Sequence, residues 1–162
     1  MTFAASVRKI VSGGQTGADR AALDWAIAHG VDHGGWCPRR RRAEDGPIPH
    51  GYRLTETPSE SYAERTEWNV RDADGTVIMS VQDILTGGSK LTAELARQHG
   101  KPWLHLSRAT SHADAGERLA RFVSAHRIRV LNVAGPRASS EPAIGAFVAE
   151  TLDRALSESS AG

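Results

Sequence analysis

Val11-Ser-Gly-Gly-Gln-Thr-Gly-Ala-Asp-Arg20 is the stretch that most constrains the fold. Upstream, Val7 to Val11 is a short apolar run broken by Arg8 and Lys9, and it reads as a strand. Downstream, Ala22, Leu23, Ala26 and Ile27 recur at helical spacing within Ala18 to His29. Gly13, Gly14 and Gly17 join the two. Glycine has no Cβ, so the backbone can turn sharply and a ligand can come close. The first turn of the following helix adds free N–H groups and the positive end of its dipole. Strand, glycine bend and helix in that order make a seat for an anion, a phosphate above all. They equally make a tight strand-to-helix joint.

Strand and helix signals alternate from there on. Gly30 stops the first helix, and the connector Val31 to Gly35 holds a weak second strand. Gly35 to Pro49 reads as one long loop, pinned by Trp36-Cys-Pro38 at its start and Pro47-Ile-Pro49 at its exit. Tyr52 to Thr57 is extended, and Pro58-Ser-Glu60 opens a helix through Tyr62, Arg65 and Asn69. Thr76 to Ser80 is a β-branched strand; Gly87-Gly88 is a second glycine turn into a helix that stops at Gly100. Lys101 to Leu106 is the next strand, and a helix with Leu119, Phe122 and Val123 follows. Arg127 to Val133 is the last strand, and a third turn around Gly135 leads to a final helix through Leu156. The tail Ser157 to Gly162 reads as frayed. The expectation is an α/β, three-layer, Rossmann-like domain: a mainly parallel five-stranded sheet with helices on both faces. Such sheets bind ligands beyond the carboxyl ends of their strands, so the turns at Gly13, Gly87 and Gly135 should share one edge.

Composition excludes several classes. At 162 residues the chain reads as one domain, residues 1–162. A net charge of +1 argues against a nucleic-acid coat or a polybasic membrane binder. One cysteine, Cys37, leaves no internal disulfide and fits a reducing compartment. No apolar run is long enough to cross a bilayer, and Met1-Thr-Phe-Ala-Ala-Ser6 is not a secretory signal, so the expected location is the cytoplasm. The seven histidines are not read as a metal-ligand set, so no metal site is expected.

The motifs narrow the ligand. There is no P-loop, and Ser12 stands where a dinucleotide fingerprint needs its first glycine. Asp19 either favours the helix dipole or binds a ribose hydroxyl or metal; Arg20 either pairs with Asp24 or clamps a phosphate. Beside Gly87 and Gly88, Ser89 and Thr92 are hydroxyls suited to phosphate oxygens or to helix capping. Glu94 is either a general base or a solvated carboxylate. Arg65 and Asn69 share a helix face and could hold a base or a phosphate. Arg39 to Arg42 reads as a solvated run or as a source of one ligand contact. Trp36, in the loop, is the stacking candidate, whereas Trp25, Trp68 and Trp103 read as core, and Cys37 as a buried small hydrophobe.

Several blocks together resemble a known family. Ser12-Gly-Gly-Gln-Thr-Gly-Ala-Asp-Arg-Ala-Ala-Leu-Asp24, Gly34-Gly-Trp-Cys-Pro38, Ala43-Glu-Asp-Gly-Pro-Ile-Pro49, Arg65-Thr-Glu-Trp-Asn-Val-Arg-Asp72 and Leu131-Asn-Val-Ala-Gly-Pro-Arg137 resemble the putative molybdenum carrier family. That family is a circularly permuted relative of YpsA within the lysine-decarboxylase-like (LOG, or SLOG) Rossmannoid group. The resemblance implies a small phosphorylated ligand, molybdenum cofactor (molybdopterin) or a nucleotide, and a homodimer or higher homo-oligomer. The turns and their neighbours make Gly13, Gly14, Gln15, Thr16, Gly17, Asp19, Arg20, Trp36, Arg65, Asn69, Gly87, Gly88, Ser89, Thr92, Gly135 and Arg137 the candidate ligand site. The LOG enzymes, which split a nucleoside monophosphate from its base, carry Pro-Gly-Gly-x-Gly-Thr-x-x-Glu. Here Thr86-Gly-Gly-Ser-Lys-Leu-Thr-Ala-Glu94 lacks the proline and the third glycine and brings threonine and glutamate one residue closer. A carrier is therefore expected over a phosphoribohydrolase, with Glu94 catalytic only in the second case.

Overall fold

The computed structural model of the chain describes residues 7–156. The readings of the N-terminal six residues and of the tail from Ser157 lie outside the described residues. The strands are β1 (Lys9–Val11), β2 (Asp32–Gly34), β3 (Trp36–Cys37), β4 (Thr55–Glu56), β5 (Gly75–Ser80), β6 (Trp103–Ser107) and β7 (Val130–Ala134). The helices are α1 (Ala18–Ala28), α2 (Tyr62–Asp72), α3 (Gly87–Gln98), α4 (Arg108–Ser111), α5 (Ala115–His126) and α6 (Ile144–Leu156). Five strands form one wholly parallel sheet in the order β2-β1-β7-β5-β6. The fold is thus the α/β Rossmann-like arrangement expected, and the weak strand in the Val31 to Gly35 connector is its edge strand β2.

Burial explains the layering. Every residue of β5 is buried, as a strand covered on both faces must be. One face of the sheet meets α1, α5 and α6 through Ile10, Val77, Leu131 and Val133 against Leu119, Val123, Val148 and Leu152. The other face carries α2 and α3, which meet through Val70, Leu95 and Ala96, with Leu91 and Trp103 alongside. Helix α2 begins at Tyr62, later than Pro58: Ser61 caps it by accepting the Glu64 N–H, while Ser59 is engaged by the Glu64 carboxylate.

The long loop is more ordered than its composition suggests. It holds β3, which pairs in parallel with β4 from the Tyr52 to Thr57 stretch read as extended, and a 3₁₀ turn at Arg39–Arg41. Arg41 organises it. Its buried guanidinium donates to four backbone carbonyls, those of Ile48 (2.8 Å), Pro49 (2.9 Å), Tyr52 (2.6 Å) and Leu54 (3.5 Å). Arg40 and Arg41 accept left-handed backbone (φ 65° and 56°) to deliver it there. Arg42 lies over the Tyr62 ring at 4.3 Å and donates to Glu60 O. Cys37, Ala43 and Ile48 form a small core beneath the loop, and burial pushes the Cys37 thiol up.

Replacing Arg41 by Ala strands several buried carbonyls at once, so it should cost roughly 3 kcal/mol. Thermal denaturation should show the loss, and limited proteolysis should cut first within residues 39–57; an unchanged melting temperature would contradict this role for Arg41.

Candidate functional site: a cleft at the strand tips

Because the five strands run in one direction, the turns that follow β1, β5 and β7 emerge on one edge of the sheet. They enclose a cleft of about 510 Å³. Its walls come from the β1–α1 turn (Gly13, Gln15, Asp19), from α2 (Arg65, Thr66, Asn69) and from the end of β7 with the segment that follows it (Asn132 to Arg137, which includes Gly135). The start of α3 (Gly87, Gly88, Ser89, Thr92) closes the remaining side, with Ile84 and Leu85 on the rim.

The β1–α1 side is already filled by protein. The Gly14 N–H donates to Ser12 Oγ, Gln15 N–H to Asp19 Oδ2, Thr16 N–H to Gln15 Oε1 and Ala18 N–H to Pro136 O. Gly13 is bare so that Arg65 can lie on it: a Cβ there would stand 2.3 Å from Arg65 Nη1, which donates to Gly13 O at 2.8 Å. Gly14 and Gly17 (φ 79° and 83°) serve packing, Gly14 under Leu54 and Ile48 and Gly17 against the backbone of residues 136–138. Gly135 likewise lets β7 approach Met79 O. The tight-joint reading therefore accounts for this bend.

The α3 side is open. Thr86, its N-cap residue, makes no side-chain cap hydrogen bond, and the Gly87 and Gly88 N–H groups have no acceptor among the described residues. A Cβ on either glycine would meet nothing within 4 Å. Gly87 adopts φ 52°, which glycine does without strain. Ser89 is buried in the wall, and the Thr92 hydroxyl donates to Gly88 O, so its hydrogen is not offered to the cleft.

Six of the expected residues stand outside the lining, for identifiable reasons. The Thr16 hydroxyl donates to the Glu44 carboxylate and accepts from Ala138 N–H (3.1 Å). Arg20 makes a two-pronged pair with Asp45 (2.5 and 2.8 Å) and not with Asp24, whose carboxylate accepts from the Tyr52 hydroxyl. Trp36 sets its indole N–H on Asp72 (2.9 Å) and its ring edge-on to Trp68. Glu94 lies two residues past Thr92, about 200° around the helix from the cleft face. Gly14 and Gly17 are the buttresses already described. No side chain of Arg39 to Arg42 lines the cleft.

Glu141 was not foreseen. Its carboxylate accepts from Val81 N–H (2.7 Å) and Gln82 N–H (3.1 Å) and so caps the turn after β5. Nothing in the sequence ties positions sixty residues apart. Asn69 holds β3 by a reciprocal pair with Trp36, accepting its N–H (2.8 Å) and donating to its carbonyl (2.9 Å).

Buried charge concentrates beneath the β1 tip. Arg65 and Asp19 lie 3.8 Å apart, both nearly inaccessible. Burial pushes the Asp19 carboxyl up to about 6, against the opposing pull of Arg65 and of the Gln15 N–H. Burial likewise pulls the Arg65 guanidinium down from its ordinary value.

Known proteins share this fold. The model of the circularly permutated YpsA SLOG family matches residues 10–156. The chain belongs to that family. A crystal structure described as "Putative molybdenum carrier protein" from Syntrophus aciditrophicus SB is 48% identical, with a TM-score of 0.91 over 93% of this chain and 96% of its own. Among curated proteins there is no significant match. Among the described residues, no helix of this SLOG-family chain is long and apolar enough to cross a membrane, and no three His, Cys, Asp or Glu side chains converge as metal ligands.

Asp19 makes stability fall as pH rises. Below about pH 4 it is protonated folded and unfolded; between about 4 and 6 only the folded chain holds the proton; above 6 it is ionised and buried. Its contribution should decline across that window by an amount on the order of 3 kcal/mol. The wild-type melting temperature minus that of Asp19→Asn should therefore drop between pH 4 and 7; a constant difference would contradict the shift.

Proposed function

We propose that this protein is a carrier that holds a small phosphorylated ligand in the strand-tip cleft, without turning it over. One observation carries the reading. The α3 terminus presents two backbone donors that nothing in the described chain satisfies, over open space, at the positive end of a twelve-residue helix. The phosphate sits there, on the Gly87 and Gly88 N–H groups and the Ser89 hydroxyl. Arg137 at the cleft mouth and Arg65 in its wall supply opposing charge. Gly13, Gln15, Asp19, Asn69 and Gly135 shape the rest of the ligand's seat. The 48%-identical relative is described as a molybdenum carrier protein, and the ligand we infer from that is a molybdenum cofactor, with its phosphorylated pterin, or a nucleotide of similar size. A cleft of about 510 Å³ is the right scale for either.

The hydrolase alternative asks more of this chain. A catalytic carboxylate must reach the bond it breaks. In the LOG pattern threonine and glutamate are three apart and share a helix face, whereas here Thr92 and Glu94 are two apart and diverge. Asp19 and Glu141 are the carboxyl groups that the cleft wall does contain, and the Glu141 oxygens are held by the Val81 and Gln82 N–H groups.

Gly88→Ala separates ligand binding from folding. The added methyl meets no protein atom and improves helix propensity, so the melting temperature should hold or rise. The same methyl intrudes on the phosphate seat, so calorimetric affinity for GMP and inorganic pyrophosphate should fall roughly tenfold or more. Unchanged affinity would place the anion elsewhere. Free guanine released from GMP by the wild type would overturn the carrier reading in favour of the hydrolase.

A further inference from the structure

Gln15 carries an unsatisfied donor. Its side-chain amide is pinned at one end: Oε1 accepts from the Thr16 N–H (3.1 Å) and the Glu44 N–H (2.9 Å). Two backbone donors on that oxygen fix which branch of the amide is oxygen and which is nitrogen. The nitrogen, Nε2, is then left buried with no hydrogen-bond partner among the described residues. The residue is 4% exposed and forms part of the cleft wall. A buried amide donor without an acceptor is costly, and it cannot be relieved by rotation without freeing two N–H groups in exchange.

The surroundings say what kind of acceptor belongs there. The backbone donors of Gly14, Gln15 and Thr16 on the β1–α1 side are already spent within the protein, and the Asp19 carboxyl sits in the same wall, which disfavours a phosphate there. The phosphate end of the cleft is the α3 terminus. The β1–α1 wall therefore faces the uncharged part of the ligand. Arg65 adds to the donors in that wall, since its Nη2 has no hydrogen-bond partner among the described residues. Asp19 is the acceptor that a ring N–H beside a carbonyl would need.

We propose that Gln15 is a specificity-determining residue: its Nε2 donates to a ring carbonyl of the bound ligand and selects oxo rings, 6-oxopurines and 4-oxopteridines, over amino rings such as adenine. This rests on the carrier reading above and names the face of the ligand that the cleft reads. An amino ring would present hydrogens to the Gln15 hydrogens, leaving both sides unpaired.

The test is calorimetric titration of the full-length protein with IMP, AMP and inorganic pyrophosphate. IMP and AMP share the ribose phosphate and differ at ring position 6, carbonyl against amine. The wild type should bind IMP roughly tenfold or more tightly than AMP. Gln15→Glu, titrated at pH 8, keeps an oxygen for the Thr16 and Glu44 N–H groups but loses the donor. Gln15→Met removes the donor without adding charge, and thermal melting shows whether each variant is folded. In a folded variant IMP should weaken to the AMP level, while pyrophosphate affinity stays as in the wild type. Equal wild-type affinity for IMP and AMP, or a preference that survives in a folded variant, would overturn this inference alone. Failure of the wild type to bind any of the three would overturn the carrier reading and this inference with it.

Discussion

The guanidinium of Arg65 lying across the bare backbone of Gly13 is the contact on which the arrangement of the site depends. It joins the middle of α2 to the tip of β1, across one face of the sheet, and it brings a positive charge to within 3.8 Å of Asp19. Only glycine at position 13 leaves room for it. Asn69, one turn further along α2, takes hold of Trp36, so the same helix face also anchors β3. From β3 the order passes into the long loop, where Arg41 gathers the carbonyls of residues 48–54. Two buried arginines thus organise a region with very little apolar core of its own.

A consequence is a division of labour between two glycine bends that look alike in sequence. In both, a strand is followed by a pair of glycines and a helix. At the first, the N–H groups of Gly14, Gln15, Thr16 and Ala18 are taken by Ser12, Asp19, Gln15 and Pro136, and the glycines make room for neighbouring protein. At the second, no such neighbours exist, and donors and space both remain available. Clearance around a Cβ separates the two cases where motif spelling cannot. A bend whose glycines are crowded by protein is a joint, and one whose glycines face open space is a seat.

The alternation of strand and helix was legible because each element carries its own periodicity, and a parallel sheet follows from that alternation. So was the gathering of the three turns on one edge, which needs only that the strands be parallel. Less legible was what fills each turn. Arg65 comes from a helix some fifty positions beyond Gly13, and Glu141 caps a turn sixty positions before it. Arg20 illustrates the same limit: Asp24 is the near choice by helical spacing, but Asp45, delivered by the loop, offers both carboxylate oxygens. A two-residue strand such as β3 leaves no pattern at all, whereas β4 falls within the Tyr52 to Thr57 stretch read as extended. The Arg39 to Arg42 run misleads for a related reason, since one member is a buried scaffold post while its neighbours remain exposed.

The proposed anion seat is the start of α3 and not the bend after β1. A crystal structure with inorganic pyrophosphate bound distinguishes the two. Pyrophosphate density is expected within hydrogen-bond reach of the Gly87 and Gly88 N–H groups, with Arg65 still seated on Gly13. Pyrophosphate bound instead to the N–H groups of Gly14 to Ala18, with Arg65 displaced, would contradict it.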